Sequence, residues 1–222
     1  MQIQWYGQSA FRLSAGEVTA FIDPFADMTG LSERGLRFDY PPIEGVEAQL
    51  VLVTHEHADH NGVQAIGGEP LVLRSTAGRL ASPIGQVMAI ASEHDSAAGT
   101  ERGPNTIFVF ELGGVRVAHF GDFGQSQLRE EQASAIGRID LLLLPVGGGP
   151  TIDGEQAGQI TTRLSPRWVV PMHYRTERID FLQDAGDFLA RVGEPERLRS
   201  PRFELGELPA CERTLAVLPA TP

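Results

Sequence analysis

The sequence predicts an α/β fold in which two β-sheets pack together and helices lie outside. Three observations carry that expectation. Short strand-like runs open the chain, strand and helix patterns alternate after them, and no short repeat, low-complexity stretch or linker interrupts the 222 residues. The length fits one domain over 1–222, and 41% hydrophobic residues supply a substantial core.

The elements follow from local pattern. Gln2–Tyr6, Ala10–Leu13 and Val18–Ile22 read as strands separated by Gly7 and the Ala15-Gly16 turn. Pro24 ends the third run. Residues 26–47, rich in Gly, Pro and acidic groups, are expected as a loop that forms a flap. The aliphatic run Leu50–Val53 is a buried strand. Leu71–Leu73, Val87–Ala91, Thr106–Leu112 and Val115–Phe120 are further strands, the last two joined through the Gly113-Gly114 hairpin turn. Leu141–Leu144 and Trp168–Val170 are buried strands. Between them, Ala157, Ile160, Thr161 and Leu164 recur at helical spacing. Phe181, Leu182, Ala185, Phe188, Leu189 and Val192 outline a second amphipathic helix, and Thr214–Leu218 a final strand.

Half of the six histidines fall in Thr54-His55-Glu56-His57-Ala58-Asp59-His60, directly after the Leu50–Val53 strand. Packing does not explain such a cluster. Protonated imidazoles this close repel one another and are costly to desolvate without partners. Imidazole with carboxylate instead suits a transition-metal site, for zinc, manganese, iron or nickel. His94 and His173 each follow a predicted strand closely, and Asp122 follows Val115–Phe120. Strand ends on one sheet edge converge, so these distant residues are expected to join the cluster.

Formal charge is −11, and the chain contains Arg but no Lys. No basic run marks a polyanion track, which argues against a nucleic-acid partner. No apolar stretch reaches membrane-spanning length, and the N-terminal residues lack a secretory-signal pattern. Cys211, the single cysteine, cannot form an intrachain disulfide, so a reducing cytoplasm is the default location.

The pattern His55-x-His57-x-Asp59-His60, then His94, Asp122 and His173, resembles the metallo-β-lactamase superfamily over essentially the whole chain. More specific stretches are Phe21-Ile22-Asp23-Pro24, Gly103-Pro104-Asn105-Thr106, His119-Phe120-Gly121-Asp122, Pro145-Val146-Gly147-Gly148 and Pro171-Met172-His173-Tyr174. They are similar to the branch of small stand-alone hydrolases that includes L-ascorbate-6-phosphate lactonase and N-acyl-phosphatidylethanolamine phospholipase D. The resemblance implies a four-layered αββα sandwich with two mixed sheets, and a centre of two divalent ions, zinc first. His55, His57 and His94 would hold one ion and Asp59, His60 and His173 the other, with Asp122 bridging. A hydroxide shared by the ions would attack, its pKa lowered by them, and Asp59 would help to orient it.

Other positions are open to both functional and structural readings. Asp23 matches a family position that supports the ligands, or caps the turn at Pro24-Phe25. His119 is a catalytic or supporting candidate, although strand alternation from Asp122 would turn it toward the outer helices. Tyr174 is a candidate for protonating a leaving group, and Gly147-Gly148-Gly149-Pro150-Thr151 for shaping the pocket floor. Arg175 is a phosphate-binding candidate or a surface cation. One departure stands out: the branch usually carries Gly-His-Ser where this chain has Gly7-Gln8-Ser9.

The expected function is hydrolysis of a small phosphodiester, lactone or related ester, by a protein for which an oligomer would fit the family. Antibiotic hydrolysis is disfavoured by the missing export signal, and RNA processing by the acidic charge. Thioester hydrolysis of the glyoxalase type is disfavoured because residues after Val192 are too few and proline-rich for its added helices. Two alternatives share the fold: a mononuclear iron dioxygenase-type enzyme, and a metal-binding protein without turnover.

Overall fold

A computed structural model describes residues 1–74 and 77–222. In chain order the strands and α-helices are β1 (Gln2–Gly7), β2 (Ala10–Ala15), β3 (Val18–Ile22), β4 (Val46–Glu47), β5 (Leu50–Val53), β6 (Ile66–Gly67), β7 (Leu71–Arg74), β8 (Gly78–Ser82), β9 (Gly85–Glu93), β10 (Pro104–Leu112), β11 (Val115–His119), α1 (Glu130–Ile136), β12 (Leu141–Pro145), α2 (Gly154–Leu164), β13 (Trp168–Met172), α3 (Gly186–Val192), β14 (Glu196–Arg197), β15 (Arg202–Glu204) and β16 (Leu215–Leu218).

Two mixed sheets result. The first has the order β15-β1-β2-β3-β5-β7 and the second β14-β16-β13-β12-β11-β10-β9-β8, while β4 and β6 pair apart. Strand alternation sorts the side chains between two cores. Ile3, Trp5, Phe11, Leu13, Ile22, Leu50 and Leu52 of the first sheet join Phe108, Phe110, Val117, Leu141 and Leu143 of the second in the large core between the sheets. Phe21, Val51 and Val53, on the opposite face of the first sheet, pack with Phe25, Tyr40, Ile43 and Leu182. The α-helices serve the second sheet: α1 packs on β9, α2 on β12, and α3 on β16 and α2. Over the first sheet the outer layer is thinner, with 3₁₀ turns at Thr29–Arg34 and Val63–Ala65 and the chain around Tyr40.

Strand direction prepares the site. β3 and β5 run parallel. In the second sheet β9 and β11 are both antiparallel to β10, and β11, β12 and β13 are mutually parallel. The C-terminal ends of β9, β11, β12 and β13 therefore share one rim of the second sheet, and those of β3 and β5 one rim of the first.

Several expectations need correction. The second amphipathic helix begins only at Gly186; residues 181–185 are not helical, and Phe181 is exposed. Gln183 bonds Gly147 and Arg175 through its backbone, and Asp184 accepts from the Gly186 N–H, so the chain there follows a neighbouring loop. Residues 26–47 are no free flap, because Tyr40 and Ile43 are buried and Phe38 bridges Ile179. The tail after Val192 supplies edge strands, β15 beside β1 and β14 beside β16. Helix α1 escaped pattern reading because its buried face includes a glutamine, Gln132, bonded to Gln125 and the Ala91 carbonyl. No described helix is long and apolar enough to cross a membrane.

Candidate metal centre

The rim gathers what the sequence scatters. His55, His57 and His94 form one group whose donor atoms lie within 4.8 Å of one another, and Asp59, His60, Asp122 and His173 form a second. The Asp122 carboxylate sits between them. Its Oδ2 lies 3.1 Å from His173 Nε2, 3.2 Å from His94 Nε2 and 3.8 Å from His55 Nε2, and its Oδ1 lies 3.1 Å from His60 Nε2. All seven residues expected at one site thus meet there. His57 is exposed and Asp59 half-buried, so the open side lies at the middle of the 55–60 loop.

At His55, His60 and His94 the outward ring nitrogen explains why Nε2 points inward. His60 Nδ1 donates to Asp23 Oδ2 (2.9 Å), and His94 Nδ1 to the Pro150 carbonyl (3.1 Å). His55 Nδ1 lies 3.1 Å from Thr54 Oγ1, whose own hydroxyl donates to Asp23 Oδ2 at 2.7 Å. A proton committed to Nδ1 leaves Nε2 as a bare donor atom, the arrangement a cation needs. Asp23 also takes the Thr54 N–H. One fully buried carboxylate therefore steers His60 directly and His55 through Thr54, more than a cap for the turn at Pro24-Phe25.

Backbone geometry finishes the placement. Asp23 and His173 have φ of 49° and 51°, left-handed values that a non-glycine residue holds only when its surroundings impose them. Gly121, at φ 55°, turns the chain from β11 toward Asp122, and a Cβ there would collide with Asn105 and Thr54. Asn105 bonds the Asp122 N–H through Oδ1 and donates to Ser92 Oγ and the Phe120 carbonyl. Gly147 lies so close to the His173 backbone that a Cβ has no room. The glycine loop thus braces His173, and through Pro150 it orients His94. Asp95 accepts four backbone N–H groups from Ala97, Gly99, Glu101 and Arg102, which wraps the loop after His94 around one carboxylate. Sequence reading passed over the roles of Thr54, Asn105, Asp95 and the Pro150 carbonyl. Of these, Asp95 alone lay outside the motifs already singled out.

His119 is a correction. Its ring is fully buried between the sheets, edge-on to Phe11, with Nε2 donating to the Ser9 carbonyl and Nδ1 accepting the Gly121 N–H. It does not face the outer helices. The strand ends at His119 and Gly121 reverses the chain, so alternation does not carry through to Asp122. Tyr174 stacks on Trp5 at 5.8 Å, and burial raises the pKa of its hydroxyl. Arg175 is exposed and pairs with Asp184.

Burial and charge set the electrostatics. Burial, reinforced by His60, pushes His55 down to about 2. Burial opposes ionisation of Asp122, yet His173 and His60 hold its carboxyl well below the usual range. Burial likewise opposes a charge on His60, yet Asp122, Asp59 and Asp23 raise it well above an ordinary imidazole. The donor set fits divalent metal binding. His55 Nε2, His60 Nε2 and Asp122 Oδ1 are buried without a hydrogen-bond partner, a cost that a cation among them would remove.

Comparison with known proteins agrees with this geometry. A family model described as a β-lactamase superfamily domain matches residues 2–173. The UPF0173 metal-dependent hydrolase of Pyrobaculum islandicum is 31% identical, over 90% of this chain and 95% of its own. That of Alkaliphilus metalliredigens is 30% identical, over 79% of this chain and 86% of its own. A solved structure of a metallo-β-lactamase superfamily protein from Thermotoga maritima superposes with a TM-score of 0.77 at 29% identity, covering 98% of both chains. With the fold, the rim of strand ends and the extent of these matches in agreement, the chain belongs to the metallo-β-lactamase superfamily.

Proposed function

We propose that this protein is a binuclear metal-dependent hydrolase of a small phosphodiester, lactone or related ester. The observation that carries the reading is the single Asp122 carboxylate lying within 3.8 Å of four imidazole Nε2 atoms drawn from both groups. A shared carboxylate between two donor groups suits two cations better than one. The name metal-dependent hydrolase borne by the relatives supports the same class.

In this reading His55, His57 and His94 hold one ion, Asp59, His60 and His173 the other, and Asp122 both. Zinc is the first choice, with manganese, iron or nickel also suited to the donors. When bound, the ions supply a water of lowered pKa and polarise the scissile carbonyl or phosphoryl group. The chain's own residues do the rest. Asp59, at the open side, orients the attacking water. Asp23 and Thr54 keep His60 and His55 aimed, and His119 holds the Ser9 and Gly121 backbones behind the cluster. Tyr174, its hydroxyl pKa raised by burial, keeps its proton. A cleft of about 600 Å³ lined by Phe25, Phe38, Tyr40, Pro42 and Arg178 runs beside the loop, since the Ala26 N–H bonds the Ala58 carbonyl. Its aromatic walls suit a small organic ester, while Asp27 and Asp39 on the same walls offset the charge of Arg178. The same reading takes 1–222 as one domain, working in a reducing cytoplasm on a small molecule and without nucleic acid; an oligomer fits it.

Metal analysis of protein purified without added metal, with a panel of phosphodiesters, lactones and thioesters, tests the proposal. Two zinc or manganese ions per chain with turnover are expected, and Asp59→Ala or His173→Ala abolishes turnover while circular dichroism stays native. One iron per chain with oxygen consumption, or two ions without turnover on any panel member, overturns it.

A further inference from the structure

The departure at Gln8 has a structural counterpart. Gln8, 1% exposed, sits in the turn between β1 and β2 at φ 49°. Its carbonyl accepts the Trp5 indole N–H (3.0 Å) and the His173 N–H (3.3 Å), and its side-chain Nε2 donates to Asp59 Oδ2 at 3.1 Å. A carboxylate only accepts, so the amide orientation is set by chemistry: Nε2 faces Asp59 and Oε1 is left over. Oε1 is buried with no partner. An apolar side chain of the same length would fill this space without stranding an acceptor. The amide is therefore there for what it bonds, and what it bonds is Asp59.

Asp59 needs such a partner more than its neighbours do. His60, Asp122 and His173 are buried, whereas Asp59 is half-buried on an exposed stretch of loop. A carboxylate free to swing samples several rotamers, and each must be given up when a cation binds. The donor is also uncharged, so it restrains Asp59 without placing a competing positive charge beside the cation.

We infer that Gln8 is a positioning residue for the second ion: it holds the Asp59 carboxylate and the His173 backbone in register, and thereby sets how tightly that site fills. The inference rests on the binuclear reading above. Gln8→Met keeps the volume and removes the amide, and Gln8→His keeps a side-chain N–H donor. Cobalt(II) titration, followed by visible absorption and metal analysis, reads the two sites, and melting of metal-free protein reads the fold. In Gln8→Met we expect an unchanged first affinity, a second affinity weaker by about 10–100-fold, and a metal-free melting temperature at or above wild type. Gln8→His restores most of the second affinity and the absorption spectrum. Equal second affinity in Gln8→Met and wild type overturns the inference. So does an equal weakening of both ions, or a fall in metal-free melting temperature, either of which marks a purely structural residue. A wild-type protein that takes one ion refutes the binuclear reading itself, and that outcome is read without any variant.

Discussion

The trio His55, His57 and His94 and the quartet Asp59, His60, Asp122 and His173 lie in one cluster yet are built differently. The trio carries no carboxylate of its own and opens to solvent at His57. The quartet holds two carboxylates, and three of its four members are buried. Burial accordingly dominates at His55 and His57 and lowers both, whereas carboxylates win over burial at His60 and raise it. The difference teaches that burial alone suffices to keep His55 and His57 neutral, while buried carboxylates need a surrounding structure that keeps them paired. That support is what Asp23, Asn105 and Gln8 supply, and it is concentrated on the quartet and on Asp122.

Asp122→Ala is the widest break, because it takes the shared carboxylate from both groups. Turnover is expected to fall by about 10²–10³-fold or more, the scale of losing a main electrostatic contact. Metal analysis should find both sites weakened; an intact trio ion would show that Asp122 belongs to the quartet alone. Asp23→Asn keeps the shape and removes the charge behind His60. Calorimetry should show quartet affinity lower by about 10–100-fold and trio affinity less affected, since His55 is reached only through Thr54. An equal loss in both would erase the distinction between direct and relayed support.

His119→Ala leaves the Ser9 carbonyl and the Gly121 N–H without their partner, so denaturant unfolding should show a loss of about 1–3 kcal/mol. Its effect on turnover should be well below that of Asp59→Ala. A comparable loss would place His119 in the reaction rather than behind it. The smallest effect concerns Tyr40, in the core on the far side of the first sheet. Burial, against the Thr176 hydroxyl bond, raises its pKa to about 12. The folded state thus keeps this proton when the unfolded chain has released it. The contribution is full below pH 10 and is lost as pH rises through about 12. Tyrosine absorbance at rising pH should show Tyr40 and Tyr174 both titrating late, and in Tyr40→Phe the Tyr40 step should disappear with metal content unchanged.

How much of this was readable beforehand differs by kind of residue. The loop 55–60, His94, Asp122 and His173 could be picked out because ligand chemistry accepts few side-chain types and each follows a strand. The strands themselves were legible from aliphatic runs such as Leu50–Val53 and Leu141–Leu144, which have nowhere to go but a core. The helix expected from Phe181 failed because Gln183 and Asp184 take local hydrogen bonds that the apolar spacing does not reveal. Gln8, Asn105 and the Pro150 carbonyl were invisible as supports, since an amide or a carbonyl looks alike at every position until its partner is in place.

The sequence by itself determined the residue types available to hold cations, the strand ends that carry them and the two-sheet plan, because these depend on side-chain chemistry and periodicity along the chain. Only the tertiary structure decided that His119 turns inward, that Asp23 steers two imidazoles and that Gln8 reaches Asp59 across 51 positions. Those relations depend on which backbone groups and side chains meet across sheets and loops, and a one-dimensional pattern does not encode the distance between them.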